Sequence, residues 1–316
     1  MTALVLVSCF AEVLCNQRPI LVKHDGEYYF PLIKTYPETT FGGDFDTEAD
    51  YSDPYVQELL ETGEGNWAIY PPIRFDYKDV DLALDVPAPS PPDRNHWLGT
   101  DDRGRDVFSR LIYGFRLSIF FAFALSICGV IIAIIVGGLQ GYLGGKVDIL
   151  GQRLTELWSS QNELLLLITM SAILTRSIPT LFALLLIFSW MGLAAYVRAE
   201  FLKARNYVYV QAAVAMGGQR FRVMLKHILP NTLTPVITFF PFRVAGFVTS
   251  LTALDFLGLG VPAPQPSLGE LVAQGKDNIH SWWIIFSVFI VLVSLIMLLN
   301  FVGEAVQKAF DPKVIA

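Results

Sequence analysis

Residues 115–139 read "FRLSIFFAFALSICGVIIAIIVGGL". Arg116 is the one charged residue in this run, and it stands at the edge. A helix needs about 20 mostly apolar residues to cross the ~30 Å hydrocarbon core of a bilayer. This stretch is long enough, and it is apolar on every side, which suits a span rather than a surface helix. Working outward, the same test picks out Leu157–Leu174, Pro179–Val197, Leu233–Leu257 and Trp282–Gly303. The span around Leu157 starts with polar residues and is expected to begin nearer Val147. The chain is therefore read as an all-α integral membrane protein with five complete transmembrane helices. Composition agrees: 53% of residues are hydrophobic and 16% charged, against about 25% charged in an ordinary soluble domain.

The N-terminal run "MTALVLVSCFAEVL" is too short to span and lacks a basic flank. "LVSC" resembles a lipoprotein cleavage box, but the positively charged region of a signal peptide is missing. Residues 1–15 are instead expected to be the end of a first spanning helix whose beginning is absent. Cys9, Cys15 and Cys128 are an odd set without framework spacing, so no disulfide is expected.

Residues 16–95 hold sixteen acidic against six basic residues. The segment is aromatic and turn-rich, with short strands expected near "GEYYFPLI" and a stiff linker at "VPAPSPP". It reads as an acidic, water-exposed insertion, either a surface decoration or a docking surface for a soluble partner. Residues 96–114, "HWLGTDDRGRDVFSRLIYG", mix both signs and read as an interfacial amphipathic segment with internally paired charges.

Orientation follows from Lys and Arg in short loops. Six bases and one acid lie between Arg198 and His227, whereas Lys276 is the one base between Gly258 and Ser281. This puts the loop 200–231 and the tail 306–316 in the cytoplasm and residues 16–95 outside.

The loop contains "QAAVAMGGQRFRVMLKHILPN", Gln211–Asn231. Tyr207–Met216 is helix-compatible, Gly217-Gly218 breaks it, and Gln219–Ile228 resumes with Phe221, Leu225 and Ile228 on one face. Pro230 opens the next span. A helix pair this short cannot cross a bilayer. It either lies on the membrane surface, as basic amphipathic helices do, or is gripped by another protein. Physical chemistry alone leaves both readings open.

This stretch resembles the EAA loop of ABC-importer permeases. Gln211, Ala212, Ala213, Gly217, His227, Leu229 and Pro230 fall on the pattern, with Gln211 in place of the usual Glu and His227 in place of the usual Ile. "HWLGTDDRGRDVFSRLIYGFRLS" (His96–Ser118), "LDFLGLGVPAPQPSLG" (Leu254–Gly269) and "FDPK" (Phe310–Lys313) resemble further blocks of the dipeptide and oligopeptide permeases. The acidic insertion resembles that of Yej-type permeases, linked to oligopeptides and microcin-C-like compounds.

The resemblance implies a type I ABC-importer-like permease. It implies a place in a bacterial inner membrane with residues 16–95 in the periplasm, and as partners a second permease subunit, cytoplasmic ABC ATPase subunits or a tandem ATPase, and a periplasmic solute-binding protein. It also implies that Tyr207, Gln211, Ala212, Ala213, Gly217, Leu229 and Pro230 couple the chain to the ATPase, with the first short helix docked in its cleft. A permease for nickel or another small solute shares the same motifs. The bases Arg220, Arg222 and Lys226 also suit contact with membrane lipid.

The chain has no G-x-x-x-x-G-K-[ST] phosphate loop, so it is not itself the ATPase. His24, His96, His227 and His280 show no metal-ligand spacing, and no nucleophile–base pair is legible. No catalytic residue, metal, cofactor or nucleic-acid partner is expected. The rival classes are an intramembrane enzyme and a membrane scaffold or receptor. Charged groups in hydrocarbon need a reason. Glu163 and Arg243 lie near mid-span and Asp255 near the outer end, making all three candidate pathway or intramembrane polar residues. Glu163 and Arg243 either pair with each other, or line a water-filled cavity, or pair with a second permease. Asp255 is expected to be hydrated.

Overall fold

The computed structural model describes residues 8, 10–61, 65–84 and 86–310. It forms two compact units, residues 1–117 with 263–292, and residues 118–262 with 293–316.

In the first unit, helix α1 (Ala11–Leu14) leads into the acidic segment. Most of the expected partial first span lies outside the described residues. The segment folds around strands β1 (Leu21–His24), β2 (Glu27–Tyr29) and β3 (Trp67–Ile69), ordered β2-β1-β3 and antiparallel throughout. Asp25-Gly26, both with positive φ, make the two-residue turn between β1 and β2, as an Asp-Gly pair between strands favours. Val22 pairs with Tyr29 on one side and Ala68 on the other. It packs with Phe41, Tyr51, and Val56 and Leu60 of α2 (Pro54–Glu61) into a core of the segment's own. The all-α reading therefore describes the spans and not this segment.

Residues 96–114 become helical only at Val107, the start of α3 (Val107–Leu143). The preceding turn is held by buried charges. Asp101 accepts from the backbone of Arg103 and Arg105 and from Arg105 Nε at 2.8 Å. Arg110 is fully buried, 3.5 Å from Asp101 and 2.6 Å from Glu270. Glu270 belongs to α11 (Leu268–Asp277), whose N-terminus is capped by Ser267. Val107, Leu111, Leu268, Leu271 and Ile284 close an apolar cluster beside it. His96 is wedged between Asp106 at 2.9 Å and Asp81 at 3.2 Å. The expected internal pairing of charges is present, while only the part from Val107 onward is helical.

The second unit contains α4 (Gly145–Ser159), α5 (Glu163–Ile173), α6 (Ile178–Ser189), α7 (Met191–Ala204), α8 (Val208–Ala215), α9 (Arg220–Val223), a π turn (Met224–Ile228) and α10 (Leu229–Phe256). Helix α12 (Trp282–Phe310) begins in the first unit and ends in the second. Among the described residues four helical runs are long and apolar enough to span: Val107–Leu143, Ile178–Ala204, Arg220–Phe256 and Trp282–Phe310. The expected fifth, over Leu157–Leu174, is split instead. The polar stretch "SSQNE" interrupts it, and the Asn162 side chain accepts from Leu165 N at 3.3 Å, starting a new helix. Gly137 and Gly141 of α3 lie against the carbonyls of Ala194 and Arg198 on α7, leaving no room for a Cβ. Small residues at such seams let helices approach closely in lipid. Arg198 holds α4 through a two-pronged pair with Asp148.

Two predictions follow from the first unit. Removing one partner of a buried ion pair strands the other, at about 3–5 kcal/mol. Glu270→Ala is expected to lower unfolding stability by about that much, and Arg110→Met combined with Glu270→Leu to recover a large part; denaturation in detergent reads both. The second concerns pH. Burial opposes the charge on His96, but its hydrogen bonds to Asp106 and Asp81 prevail and hold its pKa above the ordinary 6.5. Burial pushes Asp79 up from 3.8 to about 6, against a backbone hydrogen bond from Asp76. Both shifts make the folded state bind more protons than the unfolded one, so stability falls as pH rises through these windows. The melting temperature is expected to drop as the pH rises from 3.8 through about 6, and again above 6.5. Asp79→Asn should flatten the lower part of that drop and His96→Gln the upper part.

Candidate functional site

Gln211–Asn231 forms a short helix, a tight turn and a re-entry into a long helical run. Helix α8 is eight residues, about 12 Å of rise. Tyr207 caps its start in extended conformation, and its carbonyl accepts from Val210 and Gln211 N–H. One face is locked inside: Val210 is 1% exposed and Ala213 8%. They join a core with Phe201, Val223, Ile228 and Val236. The other face is open. Gln211, Ala212 and Ala215 are exposed, and Val208 and Met216 are 82% and 83% exposed. The two alanines of the motif therefore differ. Ala213 is small because it packs against the unit's own core, and Ala212 is left facing outward. Gln211 reaches only the Asn206 carbonyl, at 3.4 Å.

The two glycines also divide their work. Gly217 has φ +82° and open space where a Cβ would stand, so its constraint is backbone conformation and not a clash. Gly218 is the steric one: a Cβ there would lie 2.6 Å from the Ala213 carbonyl oxygen. Its N–H donates to that carbonyl at 3.0 Å, and Gly217 N–H donates to Val214 O at 3.0 Å.

Past the turn, the expected buried face of Phe221, Leu225 and Ile228 is not realised. Phe221 is 65% and Leu225 43% exposed, whereas Val223, Met224 and Ile228 are buried. The cause is the π turn over Met224–Ile228, in which Leu229 N–H reaches back five residues to Met224 O. It adds a residue to the turn and rotates the buried face onto Val223 and Ile228. Pro230 follows at once, with no N–H to donate and a ring that crowds the carbonyl four residues earlier. Widening the turn makes room for it. Pro230 is the second residue of α10, at the opening of the long helix as expected, and α9 and the π turn lead into it as one helical run, Arg220–Phe256. Leu229 is half-buried, and Asn231 Nδ2 donates to Tyr209 Oη at 3.1 Å, tying the re-entry to α8. Val210, Val223 and Asn231 were not singled out from sequence; Pro230 so near a helical run was the available signal for the altered register.

The three intramembrane polar residues do not converge. Glu163 is exposed at the first turn of α5 and makes no ion pair with Arg243. Asp255 is not hydrated: it is 6% exposed and accepts from Val261 N at 2.7 Å, fixing the turn after α10. Arg243 donates to the Ser189 carbonyl at 2.8 Å, at the C-terminus of α6, with its guanidinium 5.3 Å from the Phe247 ring centroid. No carboxylate among the described residues pairs with it. The described residues hold no group of three metal-ligating side chains.

The family of binding-protein-dependent transport system inner membrane components matches residues 111–316. The chain belongs to this family. The permease is 44% identical over 306 residues to the inner membrane ABC transporter permease protein YejE of Escherichia coli (strain K12), covering 97% of this chain and 89% of the relative. It is 40% identical to the peptidoglycan transport system permease protein YejE of Agrobacterium fabrum, covering 98% and 87%. The dipeptide transport system permease protein DppC of Bacillus subtilis (strain 168) is 34% identical over 71% of this chain and 70% of its own length. The MetNI methionine ABC transporter, solved in inward-facing conformations, shares the fold, with a TM-score of 0.55 at 18% identity over 64% of this chain and 96% of that one. The permease is a multi-pass inner-membrane subunit of an ABC importer that works with a binding protein and an ATPase.

The turn is testable on its own. A non-glycine residue in left-handed backbone costs about 1–2 kcal/mol, least for Asn. Gly217→Val and Gly218→Ala are expected to speed amide hydrogen exchange at positions 217 and 218, while Gly217→Asn leaves it near the parent rate.

Proposed function

We propose that the permease forms the path for oligopeptides or peptide-bearing compounds and receives ATPase closure through α8. The observation that carries the coupling role is the division of α8 into two faces. A helix with Val210 and Ala213 anchored in the unit's core, and Val208, Ala212 and Met216 turned outward, is rigidly attached on one side and unpartnered on the other. Helix-in-groove docking uses such a face. The chain has no phosphate loop of its own, so work done on ATP must arrive mechanically. Displacement of α8 would pass through the shared core to α7 and α10, which carry Phe201, Val236 and the run on to Phe256.

In this reading the loop 200–231 and the C-terminal tail face the cytoplasm and residues 16–95 face the periplasm. A second permease completes the path, and Arg220, Arg222 and Lys226, all exposed, meet lipid headgroups. Arg243 is retained as the pathway residue because its charge has no carboxylate partner among the described residues. Gln211 carries no charge, so no ionic contact with the ATPase is assigned to it.

The peptide class is supported by the names of relatives, which include dipeptide and oligopeptide transport. The Agrobacterium relative is named for peptidoglycan, whose fragments carry peptide stems. Microcin-C-like peptide conjugates fall in the same class.

The test is uptake of a labelled tripeptide by cells with the full importer. Ala212→Arg sits on the open face, so the variant is expected to fold, reach the membrane and abolish uptake. Co-purification with the ATPase subunits should fall in parallel. Normal uptake by this variant would remove the coupling role; loss of co-purification without any tripeptide uptake by the parent would remove the peptide assignment alone.

A further inference from the structure

Residues 16–95 carry sixteen acidic and six basic residues, yet the segment encloses a basic cavity. Its volume is about 310 Å³, and Arg74, Arg94, Tyr51, Tyr70, Gln57 and Asn95 are among the residues lining it. Among the described residues no Asp or Glu lines it. Two of the six bases therefore meet at one hollow while the acids lie elsewhere. Arg18 pairs with Glu48, but neither Arg74 nor Arg94 forms an ion pair with any described residue. The Arg74 guanidinium stacks 4.2 Å from the Tyr70 ring centroid, which holds it beside the cavity. Tyr51 is 4% exposed, and its hydroxyl is buried with no hydrogen-bond partner among the described residues.

These features share one explanation. Acids in such excess would normally neutralise exposed arginines, and a buried hydroxyl normally finds a partner. Here both have been left open at the same place. Arginine's planar fork matches a carboxylate through two parallel hydrogen bonds, and a hydroxyl adds a third donor. The volume lies in the ~300–1,000 Å³ range of small-molecule sites, and the hollow is concave, unlike a flat protein-docking face. We propose that this cavity is a binding site for a small molecule bearing a carboxylate, with Arg74 and Arg94 as its cations, Tyr51 as a donor, and Tyr70 and Phe75 as apolar walls. The relatives named YejE align over 97–98% of this chain and the DppC and OppC relatives over 68–78%. That shortfall is comparable in size to the segment holding the cavity. Assigning the carboxylate to a peptide C-terminus rests on the proposed function; the anion site itself does not.

The experiment is isothermal titration of the full chain in lipid nanodiscs with trialanine, trialanine amide and succinate. Trialanine is expected to bind and its amide to bind at least about tenfold more weakly, as loss of a charge-assisted pair requires. Arg74→Gln and Arg94→Gln should each weaken trialanine by a similar factor, and Tyr51→Phe by less. Lys34→Gln, which changes net charge away from the cavity, should have no effect. Equal binding of acid and amide, or full binding by the Arg74→Gln/Arg94→Gln double variant, would overturn the site. No binding of either trialanine or succinate would overturn it too. Arginine-dependent binding of succinate with none of trialanine would keep the anion site and count against the peptide reading.

Discussion

A backbone carbonyl or N–H in hydrocarbon has no water to bond, so wherever a spanning helix breaks, something must take its place. The second unit bridges three interruptions of its helices, each by a different device. Where α6 gives way to α7, Arg243 donates to the Ser189 carbonyl. Where α4 gives way to α5, Asn162 accepts the Leu165 N–H. Where Pro230 removes a donor, the π turn lets Leu229 reach Met224 O. These repairs set where the helices bend, and the bends decide which faces are buried. Arg243 illustrates how one side chain can answer two questions: a full positive charge at a helix C-terminus complements the dipole there and still keeps donors for another group.

The first unit solves a different problem with the same chemistry. Its turn at Asp101–Asp106 buries ions that a helix could not have paired. Asp101, Arg105, Arg110 and Glu270 neutralise one another, with His96 bridging Asp81 and Asp106 alongside. The arrangement draws residues distant in sequence together, since Arg110 and Glu270 are 160 positions apart. Both signs had to be present in one short segment for this, and the sequence does show them. The acidic segment has a separate core around Phe41 and Val22, which frees its surface to carry a site.

The element proposed to couple depends on the register that the π turn imposes. Had α9 continued as an ordinary α-helix, Phe221 and Leu225 would share the face of Ile228. Instead they lie open, extending the apolar surface of Val208 and Met216. The motif's small residues are not equivalent either. Gly217 answers to backbone conformation, Gly218 to the Ala213 carbonyl, Ala213 to the core and Ala212 to the outside. A helix that is anchored on one face and bare on the other can transmit a push without being rebuilt by it.

Much was legible in the sequence. Runs of twenty apolar residues report spanning helices because the bilayer has a fixed thickness, and an ordered set of motifs reports the family because those residues meet partners that other chains supply. Charge balance marked residues 16–95 as distinct, and "GEYYFPLI" marked the neighbourhood of β2. The broken span at Ser159–Glu163 was legible only in hindsight, since apolar content on both sides hides a polar gap of a few residues. What sequence did not decide was which side each residue faces. Periodicity assumes 3.6 residues per turn, and a single π turn rotates everything beyond it. Nor did it decide which charges pair: Glu163 and Arg243 look matched along the chain, but Asp255 is spent on a turn, Glu163 faces outward and Arg243 answers a carbonyl. Composition and apolar runs determined that this chain is a helical membrane protein, and the resemblance of its motifs pointed to a permease. Only the tertiary structure decided which alanine faces outward, which glycine is steric and where two arginines meet without an acid, because burial and pairing depend on contacts between residues far apart in sequence.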